Sequence, residues 1–330
     1  MSSLLSYAGY IIPDTRKDDI RLNSAVSAAS FKKVNKVSIL IDKYEGVIDY
    51  DSYFYRRDLI TNLVNTSLFF KGTEDKITVE AFLDNLAYDN LRHDTANWFS
   101  GQIAYLVTDK LSIGGGASFR DWSVSGDDFT ETKVNLSYKL NENYFVGLGL
   151  RNRATAGDDL EDLKETHMGI GLMSETIDAE LVVLKIDGDS SKLSYRADSM
   201  EQRLTVVGHL GSIEIYGEYS HYASQANFED YGVDNKINIT QFYIAPEFEF
   251  NKNYFLGIVY QKKDTVEKQN SYALDSTKSG VYLRLDQFGK FQYKLEVSNT
   301  DSYYNYDYSV SSTDYKELNR NIHLSATYKY

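Results

Sequence analysis

The stretch that decides the fold is Asn321-Ile322-His323-Leu324-Ser325-Ala326-Thr327-Tyr328-Lys329-Tyr330. Its even-numbered residues are apolar or aromatic, and its odd-numbered residues are polar. Because successive side chains of a β-strand point to opposite faces, this alternation predicts a strand with one apolar and one wet face. The segments 132–140, 213–220, 242–250 and 291–298 repeat the pattern, and their charges fall on one face. The chain is therefore predicted to be all-β.

The composition excludes several classes of protein. The chain has 330 residues and a formal net charge of −13, which argues against binding nucleic acid by neutralising its phosphates. It contains no cysteine, so disulfides, thiolate metal sites and cysteine nucleophiles are excluded. With only 2 prolines and 28 tyrosines, the composition favours long uninterrupted strands. No segment approaches the ~18 consecutive apolar residues of a membrane-spanning helix, and no signal peptide is evident.

The connections between predicted strands alternate between short and long. Short turns such as 140–143 and 251–253 alternate with long polar segments such as 154–164 and 301–317. This is the pattern of an outer-membrane barrel, which has short periplasmic turns and long external loops. We count about seventeen strands, whereas bacterial single-chain barrels have an even number. Either residues 3–12 add a strand to give eighteen, which we favour, or residues 1–35 form a leader or plug and leave about sixteen.

Two further observations favour a membrane barrel over a soluble one. A soluble sandwich has about seven to nine strands, and no blade repeat of a propeller is visible. The motifs Asn141–Gly147 and Asn251–Gly257 each place Tyr-Phe directly after a turn, as in an aromatic girdle. An open sheet edge could not be satisfied in lipid, so the sheet must close. We predict one closed, transmembrane, antiparallel up-and-down β-barrel over residues 1–330, with 16–18 strands.

The last strand resembles the C-terminal assembly signal of Gram-negative outer-membrane barrels, including general and oligosaccharide-specific porins. Tyr330 is a terminal aromatic residue, and Tyr328, Leu324 and Ile322 share its strand face. Where these barrels often have glycine, this chain has Ser325, which is a departure from the pattern. The resemblance implies a location in the outer membrane, contact with its lipid, and recognition of Tyr328 and Tyr330 by the barrel-assembly machinery. It leaves open whether the protein is a monomer or a trimer.

Alternation also predicts which side chains point into the barrel. Basic residues would dominate the wall formed by the segments from Leu111 to Arg153, and acidic residues would dominate the wall formed by the later segments. Opposed charged walls orient polar solutes and set ion preference, although the same charges could instead pair and merely keep the lumen hydrated. The predicted lining residues are basic Arg120, Lys133, Lys139, Arg151, Arg153 and Arg203, acidic Asp178, Glu180, Glu214, Glu218, Glu247 and Glu249, and aromatic Tyr216, Tyr243 and Tyr282, whose rings could stack on sugars.

The sequence offers little evidence for catalysis. None of the five histidines has the spacing of a metal site, and no G-x-S-x-G motif occurs. Acid pairs such as Glu247 and Glu249 share a strand face, as a hydrated wall would require. The run Gly114-Gly115-Gly116 lies on an alternating segment and lacks the lysine of a phosphate-binding loop. We expect no enzymatic activity, no cofactor and no metal.

These observations predict a channel for the passive diffusion of small hydrophilic solutes, saccharides or cations among them. A barrel of 16–18 strands encloses an interior too wide for side chains alone to fill. Two alternatives stay open. One is the barrel of an exopolysaccharide export system whose periplasmic domain has been removed, and the other is a surface-binding or adhesive barrel with a plugged lumen.

We expect deletion of Tyr328–Tyr330 to leave unfolded protein in the periplasm, because the assembly machinery would lose the aromatic end of the last strand. Heat-modifiable migration of the membrane fraction on gels measures this. Tyr330→Phe keeps the aromatic ring and should insert normally. A deletion variant that still forms a heat-modifiable membrane barrel would contradict the prediction.

Overall fold

Sixteen β-strands make up the described part of the chain. The computed structural model describes residues 35–52, 55–89, 95–122, 128–156, 162–190, 195–228, 233–267, 272–308 and 311–330. No helix among these residues is long and apolar enough to cross a membrane. The strands are β1 (Lys36–Ser52), β2 (Tyr55–Glu74), β3 (Ile77–Asp89), β4 (Thr95–Leu106), β5 (Leu111–Trp122), β6 (Asp128–Lys139), β7 (Tyr144–Ala156), β8 (Asp162–Met173), β9 (Ile177–Ser190), β10 (Tyr195–Leu210), β11 (Ile213–Phe228), β12 (Val233–Asn251), β13 (Tyr254–Glu267), β14 (Tyr272–Gln287), β15 (Phe291–Tyr308) and β16 (Ser311–Lys329).

The sheet closes into a barrel. Each strand pairs antiparallel with its successor, and β1 pairs with β16 along its length. The hydroxyl groups of Ser38 and Thr327 share a 2.8 Å hydrogen bond across this closure. The predicted fold class is confirmed, but the favoured count of eighteen strands is wrong. Because β1 pairs directly with β16, the ring of sixteen has no open edge for another strand. The strand predicted at 3–12 and, apart from Asn35, the alternative leader or plug in residues 1–35 lie outside the described residues.

Burial alternates along the strands with a period of two. On β6, Glu131, Asn135 and Ser137 are buried, whereas Val134 and Leu136 are 65% and 42% exposed. The buried face of the barrel is rich in polar residues and the exposed face is rich in Leu, Ile, Val and aromatic residues. This is the inverse of a soluble protein. An apolar exterior around a polar interior is the arrangement of a transmembrane barrel.

Aromatic rings surround the exterior at the end of the barrel that carries the short turns. Tyr328 lies with its ring centroid 4.9 Å from Phe291 and 6.2 Å from Tyr330, and Tyr330 stacks on Phe70 of β2 at 6.5 Å. On β9 the outward residues stay apolar for about eight positions, or ~20 Å along a tilted strand, before they become charged. There Lys185 and Asp187 form an exposed 3.1 Å ion pair. The apolar exterior is thus a band of limited height.

The strands continue well beyond this band. In the segments predicted as long loops, 154–164 and 301–317, every residue that the structure describes lies in a strand. β15 and β16 pair as far as Tyr308 opposite Ser311. Above the apolar band both faces of a hairpin meet water, so the hydrophobic alternation disappears while the backbone pairing continues. Sequence patterning therefore placed these strand ends too early.

Two inward aromatic rings lie against glycines of the neighbouring strand. Phe145 faces Gly171, and a Cβ on that glycine would lie 1.7 Å from the Phe145 Cζ. Tyr282 faces Gly257 in the same way, at 2.1 Å. Both rings are buried, with 0% and 2% of their surface exposed. Since glycine removes the side chain beneath them, the rings lie along the wall rather than across the lumen.

We expect Gly171→Ala to destabilise the barrel by about 1–3 kcal/mol, because the added methyl overlaps the Phe145 ring. Urea unfolding of the refolded barrel in detergent measures the free energy of unfolding. The control is Gly217→Ala, whose added Cβ would meet its nearest neighbour, the Tyr243 carbonyl oxygen, at 3.9 Å. Equal stability of the two variants would contradict the prediction.

Candidate functional site: the charged inner wall

An ion-pair network crosses β6, β7 and β8 on the inside of the barrel. The Arg151 guanidinium lies between two carboxylates, 3.3 Å from Glu131 and in contact with Glu165. Arg153 Nη2 lies 2.9 Å from the other Glu131 oxygen. Both glutamates are buried. The two predicted basic residues are therefore neutralised locally by acids that the sequence analysis did not single out. Glu131 and Glu165 each lie two residues before Lys133 and His167, so each pair shares one face of its strand. The same alternation could therefore have identified both glutamates as inward.

A second network crosses β12 to β15. Arg284 Nη2 lies 3.0 Å from Glu247, and its guanidinium lies 4.0 Å from the centre of the Phe255 ring. Glu296 is held by Lys294 at 3.2 Å and by Lys278 at 2.8 Å. An aromatic face attracts a cation, and a nearby carboxylate pairs with it. The basic side chains are thus held along the wall, and the sequence analysis missed all three.

The three predicted lining tyrosines belong to one cluster. Tyr243 and Tyr282 are buried with Ala245 and Val259, and Tyr216 packs against them. Tyr216 and Tyr243 meet edge to face, with centroids 5.5 Å apart. The Lys294 ammonium lies 3.9 Å from the centre of the Tyr282 ring. Because Tyr243 and Tyr282 are only 7% and 2% exposed, Tyr216 is the member whose surface a solute could reach.

The predicted acidic residues lie on the inward parity of β9, β11 and β12. Glu214 faces Glu247 directly across the β11–β12 pair. Opposed like charges destabilise a sheet, and here the Arg284 guanidinium beside Glu247 offsets this. The His209 Nδ1 lies 3.2 Å from Glu214. Glu218 accepts a 3.1 Å hydrogen bond from the Tyr216 hydroxyl.

The other predicted acids differ in their surroundings. Asp178 accepts a 3.2 Å hydrogen bond from the Ser174 N–H at a turn. Glu180 is buried, and Glu249 is half-buried near the end of β12. Among the residues that the structure describes, no three His, Asp or Glu side chains lie together as a metal site would require.

The remaining predicted basic residues are spread around the wall. Lys133 and Lys139 are half-buried on β6, and Arg203 on β10 donates a 3.0 Å hydrogen bond to Glu201. The side chain of Arg120 lies outside the described residues. A further basic group was not predicted either, namely three lysines at the closure of the barrel. Lys36 faces both Lys329 and Lys71 in register, and Lys71 lies 3.7 Å from Glu80.

The chain matches no protein-family model and no curated protein. Its fold is similar to that of solved membrane barrels. The TodX monoaromatic hydrocarbon channel (deltaS2 mutant) gives a TM-score of 0.53 at 8% identity over 94% of this chain and 93% of that one. A Pseudomonas aeruginosa FadL homologue gives 0.52 at 8% identity over 93% and 92%. A bacterial polysaccharide outer membrane secretin gives 0.51 at 10% identity over 90% and 99%.

These likenesses show a shared fold. The chain has the closed antiparallel barrel of Gram-negative outer-membrane proteins, as the last strand predicted. Its apolar exterior and aromatic girdle are those of a membrane-spanning barrel in contact with lipid, and they agree with the predicted outer-membrane location.

We expect Arg151→Met to destabilise the barrel by about 3 kcal/mol, because it leaves Glu131 and Glu165 buried with less compensation. Adding Glu165→Gln should recover part of the loss. Lys185→Met removes an exposed exterior ion pair and should change the free energy of unfolding by less than about 0.5 kcal/mol. If Arg151→Met is as mild as this control under urea unfolding, the network does not stabilise the wall.

Proposed function

We propose that the protein is an outer-membrane channel through which small hydrophilic solutes diffuse passively. The observation that carries this proposal is the sixteen-strand closed barrel with an apolar exterior and a charged interior. Barrels of this size enclose more space than their inward side chains fill. We also propose that it carries no enzymatic activity and uses no cofactor, since inward acids such as Glu131, Glu165 and Glu247 are engaged by arginine side chains of the wall.

A weak preference for cations is the selectivity that the inner wall supports best. Arg151 and Arg153 form ion pairs with Glu131 and Glu165, and these pairs lower the net positive charge of the basic wall. Four acids on β11 and β12, namely Glu214, Glu218, Glu247 and Glu249, lie side by side and in part beside Arg284 and His209. Exposed charges act over about 8 Å at physiological salt, so charges on the wall outweigh those in distant loops. The half-buried Tyr216 supplies an aromatic surface for a saccharide.

Assembly and lipid contact follow from the exterior. Tyr328 and Tyr330 are 38% and 53% exposed on the outside of the closure, where the barrel-assembly machinery could bind them. The Tyr330 hydroxyl also donates a 3.4 Å hydrogen bond to the Lys71 carbonyl, so this residue reaches across β1 to β2. We propose that recognition of these two rings precedes their packing across the closed seam.

A planar-bilayer recording of the purified full chain tests the channel. We expect single-channel steps in potassium chloride, and swelling of proteoliposomes in sugars of increasing size until a cut-off is reached. A refolded, heat-modifiable barrel that gives neither conductance nor swelling would overturn the proposal.

We expect the quadruple change of Glu214, Glu218, Glu247 and Glu249 to Gln to shift the reversal potential in a salt gradient toward anions. The native channel should prefer cations mildly, and the preference should fade as salt rises because the charges are screened. A matched control changes four exterior acids, Asp187, Asp264, Asp275 and Asp301, to Asn and should leave the potential unmoved. An anion-selective native channel, or an unmoved quadruple variant, would assign the field to the basic residues instead.

A further inference from the structure

The glycine run at 114–116 leaves a gap in the inner wall at β5. Gly116 shares the inward face of the buried Ser118, and it faces Gln102 of β4 on one side and Lys133 of β6 on the other. A Cβ at Gly116 would lie 2.5 Å from the Gly101 carbonyl oxygen and 2.7 Å from the Gln102 Cβ. This position therefore has no room for a side chain, and none separates Gln102 from Lys133.

A cavity of about 60 Å³ lies beside this gap on the inside of the barrel. Its size is below the ~150 Å³ of a cavity that encloses a benzene ring, so it admits one end of a small solute while the rest stays in the lumen. We call it the β2–β6 pocket. Six inward side chains line it, namely Phe69 of β2, Glu80 and Phe82 of β3, Ser100 and Gln102 of β4, and Lys133 of β6.

One side of the β2–β6 pocket is aromatic. Phe69 and Phe82 face each other across the β2–β3 pair, and Phe69 is buried whereas Phe82 is half-buried. The Trp98 ring meets the Phe82 ring edge to face, with centroids 6.1 Å apart. Such a contact favours one orientation of the ring. Phe82 therefore offers a solute an apolar surface that is already held in place.

The other side of the pocket has more positive than negative charges around it. Glu80 is the acid among the six lining side chains, and it lies 3.7 Å from the Lys71 ammonium and accepts a hydrogen bond from Gln102. Lys133 is half-buried on the far side of the gap, and Lys36 faces Lys71 directly in register. Three lysines thus surround one carboxylate.

Two further inward acids near the pocket have donors of their own. Asp84 occupies the next inward position of β3 after Phe82, and it accepts a 2.6 Å hydrogen bond from the Ser67 hydroxyl. Glu131 lies two residues before Lys133 and is held by Arg151 and Arg153. These acids therefore leave the excess of lysine charge around the pocket in place.

We propose that the β2–β6 pocket binds a small organic anion, namely a carboxylate that carries an apolar ring. The carboxylate accepts charge-assisted hydrogen bonds from the Lys133 ammonium and a further one from the Ser100 hydroxyl, and the ring lies against Phe82. The proposal adds a class of solute to the proposed channel. It rests on that function for passage through the membrane, whereas binding itself does not require conduction.

The pocket and the acids that favour cations lie on opposite walls. In the ring of sixteen strands, β4 stands eight strands from β12, which carries Glu247 and Glu249. Sixteen strands spaced ~4.8 Å apart give a diameter of at least about 24 Å. Charges act over only about 8 Å at physiological salt. A local site for an anion is therefore compatible with a weak preference for cations in the rest of the lumen.

Titration of the refolded full chain with benzoate tests the proposal. The chain has 2 tryptophans, so Trp122→Phe leaves Trp98 as the single fluorescent reporter beside the pocket. Calorimetry measures the Kd, and the change in Trp98 fluorescence locates the binding. We expect saturable binding of benzoate with a change in Trp98 fluorescence. Acetate, which lacks the ring, and benzyl alcohol, which lacks the charge, should each bind at least about tenfold more weakly.

Two substitutions in the pocket should each raise the Kd of benzoate about tenfold. Lys133→Met removes the charge, and Phe82→Leu removes the ring. The matched controls on the exterior, Lys185→Met and Phe119→Leu, should change the Kd by less than about twofold. Heat-modifiable migration confirms that each variant is folded, and Lys133→Gln replaces Lys133→Met if the latter does not fold.

Several results would overturn the proposal. Benzoate that does not bind, or that binds no more tightly than acetate or benzyl alcohol, shows that the pocket does not recognise ring and charge together. Binding that survives either pocket substitution, or that leaves Trp98 fluorescence unchanged, places the site elsewhere.

Conductance of the same preparations separates this proposal from the proposed function. If benzoate binds as expected but the folded barrel gives no single-channel steps, the channel function fails and the site stands. If the barrel conducts but benzoate does not bind, the channel stands and the site fails.

Discussion

The constraint on which the structure depends is that backbone N–H and C=O groups cannot stay unpaired in lipid. It is met at the closure, where β1 pairs with β16 over fifteen positions from Lys36–Lys329 to Tyr50–Tyr315. Once this seam is paired, no strand has a free edge. Every inward side chain then faces an enclosed interior, and every outward one within the apolar band faces lipid. The polar interior and apolar exterior follow from closure together with the two-residue period of the strands.

The sequence predicts the inward and outward faces of the strands where the strands cross the lipid, because there one face is apolar and the other polar. Ile322, Leu324 and Tyr328 alternate with His323 and Thr327 because one face meets hydrocarbon and the other does not. The same reasoning failed above the apolar band. At Asp301–Tyr308 polar residues fall on both faces of the strand, so the sequence does not distinguish a paired strand from a polar loop. The strand count was overestimated because alternation identifies strands one at a time, whereas the number in the ring is fixed only where the first and last meet.

For the inner wall, the two-residue alternation predicts on which face of a strand each side chain lies, but not which side chains on different strands contact one another. The alternation assigns Arg151 and Arg153 to the same face, but the partners of Arg151, Glu131 and Glu165, lie 20 and 14 residues away on different strands. Which of several inward acids meets an arginine depends on the register between strands. Register is a property of strand pairs, so one strand's sequence does not contain it. The same holds for Lys36, Lys71 and Lys329, which are distant in sequence and adjacent at the seam.

The lipid-facing apolar residues and the inward charged residues therefore restrict the register of the strands in different ways. A slip of one residue would turn every apolar side chain of a strand inward, so the hydrophobic contrast forbids it. A slip of two residues keeps the apolar side chains on the outside, so the hydrophobic pattern does not prevent it. The contacts inside the barrel do, because such a slip of β8 would set His167 or Leu163 opposite Arg151 in place of Glu165. A slip of β13 by two would press the Tyr282 ring onto Phe255 or Val259 in place of Gly257. The ion pairs and the ring-on-glycine contacts thus specify the pairing that the hydrophobic pattern leaves open, and they do so with the same residues that give the lumen its charge and shape.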